Sequence, residues 1–150
     1  MSPGADTPDA FATRTELAES RAHAGDFRGA VTEFRALVKE STAAEGADAP
    51  RTLTARLQLV RVLGTSRQFG KAIGACEPLL RDQVRVLGAQ HADTLETRQL
   101  LANLRYRAGD AEGAAADLEE LVAALSHVLL PTHDRITKLQ RDIAFLKRPS

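Results

Sequence analysis

Apolar side chains recur at steps of three and four along most of the chain. Phe27, Ala30, Val31, Phe34, Leu37 and Val38 make one such stripe, the spacing of an amphipathic helix. Leu53, Leu57, Val60 and Leu63 make a second, and Phe69, Ile73, Cys76, Leu80, Val84 and Leu87 a third. Leu95, Leu101, Leu104 and Ala108 follow, then Ala114, Leu118, Leu121, Val122, Leu125 and Leu129. Ile136, Leu139, Ile143 and Leu146 close the series, with Arg135, Lys138, Arg141 and Asp142 between them. Turn chemistry separates the stripes. Gly25 and Gly109 supply the left-handed residue that ends a helix, and Asp26 and Asp110 stand ready to accept the first N–H groups of the next one. Thr7 is placed to cap a first helix that begins at Pro8 and runs to about Ala24, and Gly46 and Pro50 bracket a later connection. At Thr65-Ser66-Arg67-Gln68 the Gly-Asp pair is missing, so the cap there should be weaker by about 1 kcal/mol. Pro78 lies inside the third stripe, four residues after Gly74, where its ring meets a carbonyl of its own helix, and a bend is predicted there.

The stripes repeat. A shift of 42 residues relates Leu17-Ala18 to Leu59-Val60 and Leu101-Ala102, Gly25-Asp26 to Arg67-Gln68 and Gly109-Asp110, and Ala30 to Ala72 and Ala114. A period of this length marks stacked supersecondary units, each unable to bury its apolar face alone. The reading is an all-α array of about three antiparallel helical hairpins, repeats 5–46, 47–88 and 89–130, ended by a capping helix over 131–147. Residues 7–147 then form a single domain, with 1–6 disordered and 148–150 a tail. Ala18 or Ala102 lets a first helix lie close to its partner, where Ala30 or Ala114 meets it; Val60 and Ala72 keep that arrangement. A large side chain at Ala102 should unfold the third repeat by overpacking.

At these positions the chain resembles the tetratricopeptide repeat (TPR) family, in its long 42-residue variety of kinesin light chains and actinobacterial regulatory proteins. The resemblance rests on Leu17-Ala18, Gly25-Asp26-Phe27, Ala30 and Phe34, and on Leu101-Ala102, Gly109-Asp110-Ala111, Ala114 and Leu118. The connection from Val86 to Leu95, echoed by Leu130-Pro131-Thr132-His133-Asp134, is similar to the linker of that variety. HEAT or armadillo arrays have periods that would also admit 42 residues, but the Gly-Asp turn and the small residues favour the TPR pattern. The resemblance implies a right-handed α-solenoid that binds a protein or extended peptide in a concave groove lined by first helices. Carried over by position, that groove has Thr15, Glu19 and His23, then Leu57, Arg61 and Thr65, then Gln99, Asn103 and Arg107, with Arg141 extending it. Asn103 falls where the family uses asparagine to hold a ligand backbone, since an amide both donates and accepts. Glu19 and Arg61 depart from that pattern, and Arg61, Arg107 and Arg141 point instead to a ligand bearing carboxylates. Arg14, Arg56 and Arg98 recur in register; they either contact a ligand or pack their stems between helices and pair with acidic residues of a neighbouring linker.

With 43% hydrophobic and 27% charged residues the chain can fold compactly. No run of eighteen apolar residues occurs and the first residues lack a charged and apolar leader pattern, so the expected location is cytoplasmic, without membrane contact. The formal net charge is zero, against a nucleic-acid partner. Charge is uneven, however. Residues 1–50 hold five basic and nine acidic side chains (−4), residues 51–130 ten and nine (+1), and residues 131–150 five and two (+3). Such a gradient is either an ordinary solvated surface or a basis for head-to-tail association. Sixteen arginines against four lysines match the codon bias of a high-GC bacterium. The lone Cys76 reads as a small buried hydrophobe. His23, His91, His127 and His133 have no chelating spacing, and His91 and His133, 42 apart, read as linker caps. Glu119 and Glu120 diverge on their helix, and Gly25-Asp26-Phe27-Arg28-Gly29 lacks the strand and lysine of a phosphate loop. The sequence thus points to a binding scaffold, not an enzyme, without cofactor or metal. A self-associating structural or regulatory subunit, or an accessory domain of a larger bacterial signalling protein, are the alternatives.

Overall fold

A computed structural model describes residues 8–149, with side chains from residue 10 onward. The expected disorder over 1–6 and the Thr7 cap lie outside the described residues. Seven helices and no strand occur among the described residues: α1 (Pro8–His23), α2 (Phe27–Glu45), α3 (Pro50–Thr65), α4 (Phe69–Leu87), α5 (Ala92–Arg107), α6 (Ala111–Leu125) and α7 (Asp134–Lys147). They group into two compact units that divide between Gln68 and Phe69. None of these helices is long and apolar enough to cross a membrane.

In the N-terminal unit α2 packs against both α1 and α3. Ala18 and Ala30 are fully buried, as are Phe34 and Leu37, which is the close approach that small residues permit. The α1–α2 turn follows the expected chemistry. Gly25 has φ +89°, Asp26 N–H donates to the Arg21 carbonyl at 2.8 Å, and Asp26 Oδ1 accepts from Gly29 N at 2.9 Å. The α5–α6 turn in the other unit repeats this 84 residues on, with Gly109 at φ +91° and Asp110 Oδ1 accepting from Gly113 N at 2.8 Å. A further glycine in each turn is dictated by that cap. A Cβ on Gly29 would stand 2.2 Å from Asp26 Oδ2, and one on Gly113 2.1 Å from Asp110 Oδ2. At the intervening register position, where residue 68 is glutamine and no carboxylate intrudes, the chain carries Lys71.

The turn after α3 takes another form. Arg67 has φ +66°, the one positive value among the described non-glycine residues, and Gln68 Nε2 donates to Ser66 Oγ at 2.8 Å. A side chain in this left-handed region costs about 1 kcal/mol. Arg67→Gly is therefore expected to raise stability by up to ~1 kcal/mol, seen as a shifted urea midpoint at unchanged slope; a lower midpoint would show that the guanidinium does more than the backbone loses.

The C-terminal unit stacks α4, α5, α6 and α7 in order. α4 runs unbroken through Pro78, which brings no N–H to the Gly74 carbonyl; the expected bend is a matter for residual dipolar couplings along the helix. Ala102 and Ala114 are buried as their register predicts. α6 ends at Leu125, earlier than its apolar stripe suggested, and Leu129 still packs against the core. The capping helix begins at Asp134 and not at Pro131, because Pro131 and Thr132 form a turn and His133 caps. Ile136 and Leu139 bury against Leu118, Leu121 and Leu125, so α7 does cover the end of the third hairpin. The two linker histidines act as the repeat suggested. His91 Nδ1 accepts from Asp93 N at 3.0 Å and His133 Nδ1 from Arg135 N at 3.1 Å.

Charged pairs bind helix to helix. Arg14 pairs with Glu33 at 2.8 Å and with Glu40, and Arg98 lies 3.8 Å from Glu120. The partners sit on the second helix of the same hairpin, where the sequence reading looked to a linker. Cys76 is fully buried against α5, its Sγ 3.8 Å from the Thr97 carbonyl. Burial pushes its thiol up to about 12, with Asp117 adding to the rise. The thiolate is the reactive species, so Ellman's reagent at pH 8 should label the native protein at well under a tenth of the rate seen in denaturant. Prompt native labelling would contradict the burial.

Candidate functional site

Two clefts open along the first helices, one in each unit. In the N-terminal unit Glu19 and His23 of α1 face Arg61 and Thr65 of α3 across a floor that includes Phe34, enclosing about 350 Å³. Gln58 Nε2 donates to Glu19 Oε1 at 3.1 Å, which fixes the carboxylate at the cleft wall. His23 Nδ1–H donates to the Glu19 carbonyl at 2.8 Å, and Thr65 Oγ1 donates to the Arg61 carbonyl at 2.9 Å. Polar and charged groups mark the rim, while Ala22, Phe34 and Val62 make the rest of the lining apolar.

In the C-terminal unit a cleft of about 220 Å³ lies between α5 and α7, with Ala114 and Leu118 of α6 beneath it. Gln99, Asn103 and Tyr106 come from α5, and Asp142, Phe145 and Leu146 from α7. Tyr106 and Phe145 are each 51% exposed, an unusual display for large aromatic side chains on a small chain with five phenylalanines and one tyrosine. Asp142 is held only loosely, 3.5 Å from Lys138 one turn before it.

The clefts are the same place in the repeat, 84 residues apart. Glu19 corresponds to Asn103, Ala22 to Tyr106, Phe34 to Leu118, Gln58 to Asp142, Arg61 to Phe145 and Val62 to Leu146. Their apolar floors correspond and their rims differ. One rim carries Arg61, His23 and the Glu19 carboxylate; the other carries the Tyr106 and Phe145 rings, the Gln99 and Asn103 amides and the Asp142 carboxylate.

Six of the ten groove positions read from the sequence line these clefts: Glu19, His23, Arg61 and Thr65 in one, Gln99 and Asn103 in the other. The remaining four do not. Thr15 turns its hydroxyl to the Phe11 carbonyl at 2.9 Å, Leu57 is half-buried, Arg107 stacks on the Phe69 ring at 4.9 Å, and Arg141 is exposed outside the cleft lining. A wall of three arginines is thus not assembled in either cleft, and only Arg61 contributes. Tyr106, Asp142 and Phe145 escaped sequence reasoning. The signal existed: adding 42 to Asn103 reaches Phe145, by the same step that takes Gln99 to Arg141 on α7. No group of three metal-binding side chains occurs among the described residues.

No protein-family profile matches the sequence, and no curated protein matches it. Solved structures do. A kinesin-light-chain-like protein of Podospora anserina, built from nearly identical TPR-like repeats, matches with TM-score 0.77 and 22% identity over 95% of this chain. A point-substituted form of it gives 0.78. BtubC (BKLC) of P. vanneervenii matches with TM-score 0.77 and 19% identity, also over 95% of this chain. The chain has the TPR-like repeat fold. It spans 67% of the Podospora protein and 57% of BtubC, and identity at this level speaks for fold alone. Within a TPR-like array, both clefts lie on the faces of first helices α1, α3, α5 and α7.

Proposed function

We propose that this TPR-like chain is a non-catalytic scaffold that binds protein segments in the clefts along its first helices. The observation that carries the reading is the recurrence of a cleft at one register position in both units, with polar or aromatic side chains at its rim above the buried Phe34 and Leu118. Carboxylate-bearing segments belong at the N-terminal cleft, where Arg61 and His23 stand. A cytoplasmic setting and a single domain over 7–147 are part of the same reading. The test is recovery of a partner from the native host, followed by affinity measurement with Arg61→Ala and Asn103→Ala. Loss of about tenfold or more in either variant is expected; a partner bound equally well by both would sink the groove reading.

Self-association is a second reading with its own observation. Leu17 is 49% exposed, whereas Leu59 and Leu101 at the same register are 8% and 3% exposed, which leaves this one leucine of α1 uncovered. Mass in solution that rises with concentration would favour it, and a fall with salt would assign the contact to the charge gradient along the chain and not to Leu17.

A further inference from the structure

We infer that the C-terminal cleft is a subsite for a single arginine side chain of a bound protein segment, an inference that rests on the groove reading above. The cleft holds the features a guanidinium on an aliphatic stem requires. Leu118 and Leu146 offer apolar surface to the methylenes. Tyr106 and Phe145 expose about half their surface at its wall, and aromatic faces attract cations. Asp142 is the one carboxylate of the lining, and no arginine or lysine is part of that lining. A planar guanidinium can stack on a ring and fork to a carboxylate in one pose, which an ammonium cannot.

One such contact already forms within the chain. Arg148 lays its own guanidinium over Phe145, 4.2 Å from the ring centre. Lys138 reaches Asp142 at 3.5 Å from an exposed position, an i,i+4 pair weak enough for an incoming cation to displace. The N-terminal cleft provides the internal contrast: at the same register Phe145 is replaced by Arg61, Asp142 by Gln58 and Tyr106 by Ala22. That cleft sets the Arg61 cation beside its one carboxylate, Glu19, and its only phenyl ring, Phe34, is fully buried.

The probes are Nα-acetyl-arginine N-methylamide and its citrulline counterpart, which has the same shape and no charge, titrated into the protein and followed by two-dimensional amide NMR. The arginine probe is expected to shift the resonances of Asn103, Tyr106 and Phe145 and to bind about fivefold more tightly than citrulline. Asp142→Asn should weaken it about three- to tenfold, Glu19→Gln should leave it unchanged, and Arg148→Ala, which frees the Phe145 ring, should strengthen it about twofold. Equal binding of the two probes, or an unchanged response in Asp142→Asn, overturns the arginine assignment and leaves the cleft a neutral apolar site. Absence of shifts at these residues with either probe also overturns it, while the scaffold reading is judged separately by the Arg61→Ala and Asn103→Ala affinities for the recovered partner.

Discussion

Replacing Arg105 by alanine is expected to destabilise the C-terminal unit by about 3 kcal/mol at neutral pH. Its guanidinium ties three helices together: Nε meets Asp117 Oδ2 of α6 at 2.7 Å and Nη2 meets Glu77 Oε1 of α4 at 3.1 Å. The Arg105 and Asp117 side chains are only 23% and 18% exposed. Removing the cation strands a carboxylate in a poorly hydrated position, and that loss exceeds what an exposed pair would contribute. Residual solvent access keeps the figure toward the lower end of the range for buried pairs. Burial holds the Asp117 carboxyl above its usual range even with Arg105 opposing, and Glu77 and Asp110 add to the rise. The direction of the pH dependence follows. An acid whose folded pKa exceeds its unfolded one binds more protons when folded, so stability falls as pH rises through that interval. The Arg105→Ala deficit should therefore be largest at pH ~7 and shrink as pH falls toward ~4.5. Urea unfolding at both values measures it. Arg105→Met combined with Asp117→Leu should return to within about 1 kcal/mol of the parent; a double variant as unstable as the single one would mean that Arg105 acts through packing and not through charge.

Much of this architecture was legible because it is written in local chemistry. Gly25-Asp26 and Gly109-Asp110 specify a left-handed residue and a capping carboxylate, and both form as expected. Ala18, Ala30, Ala102 and Ala114 announce close helix approach, and all four are buried. Side-chain direction was not legible. The period places Thr15, Leu57, Arg107 and Arg141 on first helices, but a helical side chain's reach depends on which neighbour competes for it. Arg107 finds Phe69 and Thr15 finds its own backbone. Gly29 and Gly113 looked like ordinary helix positions until the capping rotamer of the aspartate three residues earlier gave them a reason. Ala102 shows a similar limit. It is buried at the hairpin contact as predicted, yet it also borders the C-terminal cleft, so part of a larger side chain there would have open space to enter and would fill the cleft as well as crowd the contact.

Replacing Gln83 by leucine and Thr94 by valine should stabilise the protein by about 2 kcal/mol. Gln83 is 2% exposed and Thr94 fully buried, and neither Gln83 Oε1 nor Thr94 Oγ1 has a hydrogen-bond partner among the described residues. The repeat itself shows two better solutions at this register. Forty-two residues earlier stand Ser41, whose hydroxyl donates to the Leu37 carbonyl at 2.8 Å, and Thr52, whose hydroxyl donates to the Gly46 carbonyl at 2.8 Å. Forty-two residues later stand Leu125 and Ile136, both 1% exposed in an apolar core. The middle pair has the polarity of the first without its partners and the burial of the last without its apolarity. Removing an unsatisfied buried oxygen recovers its desolvation cost, and each replacement is somewhat larger than the side chain it replaces, so local repacking offsets part of the gain. Thermal and urea unfolding of each single variant and of the double would apportion it. Unchanged or reduced stability in the double variant would show that both oxygens are satisfied in solution, and that the middle register position is a polar site retained for a reason other than an uncompensated burial.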